Sequence, residues 1–410
     1  MSNTIVITND FYPRVTTNAK LLTDVVREFS EKHGMVVVYC SRPKYYKRRL
    51  GTGGLSEKIK IKRFWNPELQ KSNVVGRVVN SFFVCAGIFV DLVFFSPNSI
   101  ILVDTTSPFQ GPCVWLASKI RRHKYIYLAT EFYPDAAVAL GFLKENSLIT
   151  RLWDWFNKRV YRSAFKVIVI GERLRNKVSR HMLEGINDTS LVVIHNWADI
   201  DKISPIKPEK NSFRRDLGLQ DKLVISYSGN LGLSHDLSTL LTAANMLKTD
   251  ETVAFLIIGE GPQKAIIKTD VEKFNLTNVT LLPYQPDDVL PLSLSAGDFS
   301  VVTLNREMDK LTIPSKLYPA MAAGQAIIAI FTKDTDIADI VIENNAGIVI
   351  EQGDSENFVR EISKLNKNRE LIKAMKNNSR ETVVSKYSRD ISVNKYCELL
   401  LECSKVDSSS

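Results

Sequence analysis

Short apolar runs alternate with amphipathic stretches along almost the whole chain, and the alternation restarts once. Residues 4–9 and 35–40 are strand-like runs. Between them, 19–31 places Leu21, Leu22, Val25, Val26 and Phe29 on one helical face. This βαβ start opens a parallel sheet wound on both faces. Further strands are expected at 100–104, 125–130, 167–170 and 191–194. Residues 198–213 then carry Pro205, Pro208 and several charges and read as a linker. The pattern resumes with strands at 223–227, 253–258, 279–282, 299–303, 326–330 and 347–350, and closes with helices at 369–387 and 389–403 and a serine-rich tail. The expected fold class is α/β, with two Rossmann-like doubly wound domains. The N-terminal domain covers 1–200, with helix 389–403 packing back on it; the C-terminal domain covers 201–388. Open parallel sheets bind ligands at the carboxyl ends of their strands, so both domains are expected to aim loops into a central cleft.

Composition sharpens this picture only in places. A chain of 410 residues exceeds one core, and 44% hydrophobic with 24% charged residues describes a folded protein. The N-terminus runs straight into a strand without a signal-like pattern, and the five cysteines show no paired or metal-binding spacing, which together suggest a reducing cytoplasm. Charge is unevenly shared. Residues 1–200 hold 29 Lys and Arg against 16 Asp and Glu, whereas 201–410 hold 25 against 29. The basic half suits phosphates or anionic lipid. Nucleic acid would suit it too, but would leave the glycine turns of the second half unexplained, and no nucleic-acid partner is expected.

The candidate chemistry lies mostly in the second half. At 313–324, Pro314 breaks the chain, Ser315 reads as a helix N-cap, Leu317 and Met321 suit a helix against a sheet, and Gly324 ends it. Such a helix start favours a phosphate, and Lys316 adds a cation. Gly259 and Gly261 let a ligand approach backbone, and Tyr284 follows a strand where it could flank a planar base. Gly229, Asn230 and Gly232 form a turn able to offer amides to phosphate. Further charge is expected from His235 when protonated and from Arg306. Taken singly, each of these also reads as an ordinary turn, cap or surface residue.

In the first half, Glu131 ends a strand before a proline-bearing loop. It suits either a catalytic carboxylate or a helix-cap or ion-pair role. Lys44, Lys47, Arg48 and Arg49 are interleaved with Tyr45 and Tyr46. The apolar stretch 78–95, bounded by Val78 and Phe95, fits an interfacial helix on an anionic membrane or a buried core helix.

Several runs together resemble one family. They are Asp10-Phe11-Tyr12-Pro13; Glu131-Phe132-Tyr133-Pro134-Asp135 with Ala139-Leu140-Gly141; Val193-Ile194-His195-Asn196-Trp197; Tyr227-Ser228-Gly229-Asn230-Leu231-Gly232; Ile258-Gly259-Glu260-Gly261-Pro262; and Ser315-Lys316-Leu317-Tyr318 with Met321-Ala322-Ala323-Gly324. In order and spacing the chain resembles family-4 glycosyltransferases of the GT-B fold, in the branch that builds bacterial surface polysaccharides such as O-antigen and capsule. The resemblance implies a metal-independent, retaining transfer without a cofactor, from a nucleotide sugar, taken as UDP-linked, to a polyprenyl-diphosphate-linked glycan at the inner membrane face. It implies Glu131 as the catalytic group, donor contacts from Gly229, Asn230, His235, Gly259, Gly261, Tyr284, Arg306, Ser315, Lys316 and Leu317, and an acceptor or loop side at Tyr12, Thr16, Thr17 and Asp135. Two departures stand out. Asn230 and His235 occupy positions where relatives carry Arg and Lys, and Leu311 and Pro319 replace the family's two acids. Glu307 and Asp309 are the nearest substitutes for sugar or ribose contacts. The departures keep open a degenerate nucleotide-sugar-binding partner protein and, less favoured, a sugar-nucleotide epimerase.

Overall fold

The computed structural model describes residues 3–14, 16–42, 54–69, 74–182 and 190–405. The basic cluster Lys44, Lys47, Arg48 and Arg49 lies outside them. The chain divides into two compact units: residues up to His195 together with those from Asp390 onward, and Asn196–Arg389.

The first unit is built on seven parallel strands: β1 (Asn3–Ile7), β2 (Val36–Ser41), β3 (Ile59–Phe64), β4 (Ser99–Asp104), β5 (Lys124–Ala129), β6 (Lys166–Val169) and β7 (Leu191–Val193), in the order β3-β2-β1-β4-β5-β6-β7. Its helices are α1 (Thr17–His33), α2 (Val74–Phe94), α3 (Gln110–Arg121), α4 (Asp135–Ala139), α5 (Leu148–Ser163) and α6 (Glu172–Met182). Every residue of β4 is buried, the mark of a strand covered on both faces. The Ser147 hydroxyl accepts from the Thr150 amide and starts α5.

The second unit has six parallel strands: β8 (Leu223–Ser228), β9 (Val253–Ile258), β10 (Val279–Leu282), β11 (Phe299–Thr303), β12 (Ala326–Ile330) and β13 (Gly347–Ile350), ordered β10-β9-β8-β11-β12-β13. Its helices are α7 (Ser212–Asp216), α8 (Ser238–Met246), α9 (Lys264–Lys273), α10 (Leu290–Leu294), α11 (Leu317–Ala322), α12 (Asp336–Glu343), α13 (Ser355–Asn366) and α14 (Arg369–Lys386). The final helix, α15 (Arg389–Lys405), carries the chain back into the first unit, where the Ser392 hydroxyl donates to the His195 carbonyl at 3.0 Å.

The core of the second unit joins Ile225, Tyr227, Phe255, Phe299, Ile328 and Phe358. Below it, Arg214 is buried and donates to the carbonyls of Leu219, Ala296 and Lys222 and to Asp298. A buried guanidinium satisfied this fully locks the amino ends of the strands.

Strand order reverses once in each sheet, between β1 and β4 and between β8 and β11. Loops leaving paired strands in opposite directions open a crevice at such a point, so topology alone nominates two places for ligands.

Candidate functional site

In the second unit the crevice lies beyond Ser228 and Thr303, and glycines determine its shape. Gly229 has φ +147°, and a β-carbon there would sit 3.3 Å from Cε and Nζ of Lys316. A β-carbon on Gly259 would fall 1.9 Å from the Gly229 carbonyl oxygen. The loops after β8 and β9 are thus pressed backbone to backbone, which only glycine permits. The Leu231 amide donates to Glu260 O at 2.8 Å, the Gln263 amide to Leu231 O at 3.0 Å, and the Gln263 side chain to the carbonyls of Gly232 and His235. The Gly229 amide is taken by Ile258 O. The Asn230 and Gly232 amides have no hydrogen-bond partner among the described residues.

Lys316 closes the crevice from the other side. Its ammonium donates to the Tyr227 hydroxyl at 2.5 Å and lies 3.9 Å from the centre of the Tyr227 ring. Tyr227 in turn donates to Asn230 O at 2.6 Å, which ties the lysine to the glycine turn through one phenol. Burial pushes the Lys316 pKa down to about 7. A group poised there gains charge readily when an anion arrives.

The structure corrects several expectations. His235 packs edge-on against Tyr227, with centroids 6.2 Å apart. Burial first, then the Lys316 charge, push its pKa down to about 3, so without ligand it is neutral and supplies no charge at neutral pH. Ser315 does not cap the helix: α11 begins at Leu317, Lys316 occupies the cap position, and no side chain caps it. With only six residues, α11 has little dipole to offer. Leu317 is fully buried and its amide donates to Pro314 O, so it is a core residue. Arg306 is exposed and paired with Glu351 at 3.4 Å. Asp309 is buried and accepts from Thr332 N and Oγ1 and from Gln352 Nε2, which turns it into the protein. Glu307 is exposed. Tyr284 stands half exposed on the loop after β10, beside Glu260.

The crevice of the first unit has the opposite character. Asp104, at the end of β4, is buried and accepts from Thr8 Oγ1 at 2.7 Å and Thr106 Oγ1 at 2.6 Å. Burial nevertheless raises its pKa to about 6. The Glu131 amide donates to Thr105 Oγ1 at 2.8 Å, which fixes the backbone, and its carboxylate accepts from the Tyr133 hydroxyl at 2.8 Å. Burial raises the Glu131 pKa, opposed by the Tyr133 bond and the Arg77 charge. The Tyr133 ring stacks on Trp153. Asp135 pairs with Lys177 at 3.0 Å, and the Tyr12 carbonyl accepts from Arg63, so both hold loops in place. Thr16 and Thr17 stand exposed at the start of α1.

Residues 209–382 match the family Glycosyl transferases group 1. The second unit belongs to that family.

Over 225 residues the chain is 30% identical to the probable glycosyltransferase WbjE of Pseudomonas aeruginosa, a match covering 55% of each chain. Among solved structures it is similar to the sucrose-phosphate synthase of Thermosynechococcus elongatus, with TM-score 0.80 and 14% identity over the whole of both chains. It is also similar to HepE of Anabaena in complex with UDP and glucose, with TM-score 0.72 and 14% identity over 98% of this chain and 100% of that one. These likenesses carry the GT-B fold of two Rossmann-like units.

Two residues of consequence escaped sequence reading. Tyr227 stands in the sequence only as the end of a strand and the first residue of the run 227–232, with no role assigned, although a phenol ending an apolar strand before Gly229 needs a polar partner. In the group 1 domain that partner is Lys316. Asp104 ends the apolar run Ile100-Ile101-Leu102-Val103, a signal that was legible but not used.

Proposed function

We propose that the chain is a retaining glycosyltransferase that moves a sugar from a nucleoside diphosphate donor, taken as a UDP-sugar, to a lipid-linked glycan in surface polysaccharide assembly. The observation that carries this reading is the convergence of Gly229, Gly259, Gly261 and Lys316 at the strand-order reversal of the group 1 domain. HepE, with the same fold, is in complex with UDP and glucose, and WbjE is named a probable glycosyltransferase; both support the reading.

In this mechanism the diphosphate lies against Lys316 and the Asn230 and Gly232 amides. These stabilise the charge that builds as the bond from the sugar's anomeric carbon to the diphosphate oxygen breaks. The acceptor hydroxyl forms its new bond on the same face of the sugar. Its proton goes to the departing diphosphate, and no metal ion or cofactor is required. Glu131 serves acceptor or sugar hydroxyls and offsets positive charge developing on the ring. The reaction runs at the cytoplasmic face of the inner membrane, where a polyprenyl-diphosphate-linked glycan is presented.

The test is incubation with a panel of sugar nucleotides and a polyprenyl-diphosphate-linked acceptor, following released nucleoside diphosphate and glycan mass. Transfer with retained anomeric configuration is expected. Inverted product, or an isomerised donor without transfer, contradicts the reading. A second reading, a binding module without turnover, is favoured by Pro319 standing inside α11 and by the inward turn of Asp309. Tight nucleotide binding with no transfer from any donor would establish it.

A further inference from the structure

The first unit presents an unusual outer face. Helix α2 is long and apolar enough to cross a bilayer, yet only 33% of that window is buried. Its inner side packs through Val84, Ile88 and Leu92. A β-carbon on Gly87 would come within 2.9 Å of the Phe64 ring, so the helix lies close on the sheet. Its outer side exposes Val78, Phe82, Ala86, Val90 and Phe94, five residues at four-residue spacing forming one stripe. Phe82 is 56% and Phe94 68% exposed.

Helices α3 and α5 continue the layer, α3 packing on both α2 and α5. Phe82 meets Phe109 at the head of α3, and Trp115 of α3 meets Trp155 of α5. Outward, α3 exposes Leu116 and Ile120, while α5 exposes Leu148, Leu152 and Trp155. Leu148 is 82% exposed, an unusual state for a leucine at the start of an ordered helix.

Charge on this layer is mostly of one sign. The three helices hold seven Arg and Lys against two acids, Asp91 and Asp154. Asp91 is buried and bound to the Tyr39 hydroxyl and Lys62, and Asp154 is partly buried. Arg77 lies within reach of Glu131; the other exposed charges, Lys119, Arg121, Arg151, Lys158 and Arg162, are all basic. Ordinary soluble surfaces mix signs and keep apolar patches small. A partner that is anionic at its surface and apolar just beneath matches both features at once, and a bilayer with acidic phospholipids has that profile. Because the inner side of α2 is committed to the sheet, the helix lies along a bilayer rather than through it.

We propose that the outer face of α2, α3 and α5 docks on a bilayer containing acidic phospholipids. This deepens the membrane-surface part of the proposed function by assigning it a face. Phe82, Phe94, Leu148 and Leu152 enter the headgroup boundary, while Lys119, Arg151 and Lys158 meet lipid phosphates.

The test is flotation of the whole chain with vesicles of phosphatidylcholine alone or mixed with phosphatidylglycerol. The wild type is expected to float with the mixed vesicles, weakly with the neutral ones, and less as salt rises. Phe82→Glu with Phe94→Glu, Leu148→Glu with Leu152→Glu, and Lys119→Glu with Arg151→Glu and Lys158→Glu should each lower binding by more than about tenfold. All seven positions are exposed, so far-UV circular dichroism and UDP binding should stay at wild-type values. No flotation of the wild type, or flotation of all three variants like wild type, overturns the proposal. So does loss only when Lys44, Lys47, Arg48 and Arg49 are neutralised. A wild-type dimer in sedimentation velocity that Phe82→Glu splits, without vesicle binding, would assign the face to a second copy of the chain. UDP binding without flotation would sink this proposal alone; flotation without UDP binding would sink the enzymatic reading alone.

Discussion

The two sheets of this protein reverse strand order in the same way and carry opposite chemistry at the reversal. In the first unit, acids and hydroxyls gather: Asp104, Glu131, Thr8, Thr105, Thr106 and Tyr133. In the second, glycine turns leave bare backbone, with Lys316 laid on Tyr227. Burial works on both sites in opposite directions. It raises Asp104 to about 6 and lowers Lys316 to about 7, so each is held close to losing its charge. Topology decides where a ligand can bind, and side chains decide which ligand. An acid-lined crevice suits hydroxyl-bearing sugars, and a glycine-and-lysine crevice suits a diphosphate.

The strongest way to break this comparison is to neutralise the acid side alone. Glu131→Gln is expected to lower transfer by about a thousandfold while leaving UDP affinity within about twofold. An equal loss of both would show that the two crevices do not divide the work. Next comes the backbone contact that shapes the basic side. Gly259→Ala places a β-carbon against Gly229 O and should destabilise the second unit by about 3 kcal/mol, read from its denaturant midpoint. An unchanged midpoint would mean that the loops part easily.

The pH dependence sharpens the comparison further. The folded pKa of Lys316 lies near 7, below the usual lysine value, so between about 7 and 10 the unfolded chain binds more protons. Stability without ligand should therefore rise with pH across that window through this group. A bound diphosphate favours the charged amine, so UDP binding should take up a proton at pH 8 and weaken up to about tenfold per pH unit above 7. Calorimetry in buffers of different ionisation heat reads the uptake, and Lys316→Ala should abolish it. A rise in UDP affinity below pH 6 assignable to His235 would contradict its neutral state. The smallest effect is expected from Tyr227→Phe, which keeps the ring under Lys316 and removes its hydroxyl bond. UDP affinity should fall about threefold, with the onset of weakening displaced in pH. No change in either would leave Tyr227 as filling.

Much of the fold was legible because apolar runs and amphipathic stretches alternate with the periods of strand and helix, and glycines mark where backbones must touch. Gly229, Gly259 and Lys316, expected to contact one donor, do lie beside one another in the second unit. The misreadings of Asp309 and His235 share one cause: partners distant in sequence. Asp309 is turned inward by Thr332 and Gln352. His235 is held neutral by burial and by a lysine 81 positions later. Ser315 looked like a cap, but the turn at Pro314 takes the Leu317 amide and delays the helix. The docking face was half legible. The apolar length of α2 stood out, whereas its stripe joins those of α3 and α5 only through packing.

The central claim is that the crevice of the group 1 domain holds a nucleoside diphosphate through Lys316. Titration calorimetry of the whole chain with UDP and with uridine, for wild type and Lys316→Ala, tests it most directly. UDP should bind wild type more than about tenfold tighter than uridine, and Lys316→Ala should erase most of that difference while leaving uridine unchanged. Equal UDP affinity in both proteins, or a matching loss for uridine, would contradict it.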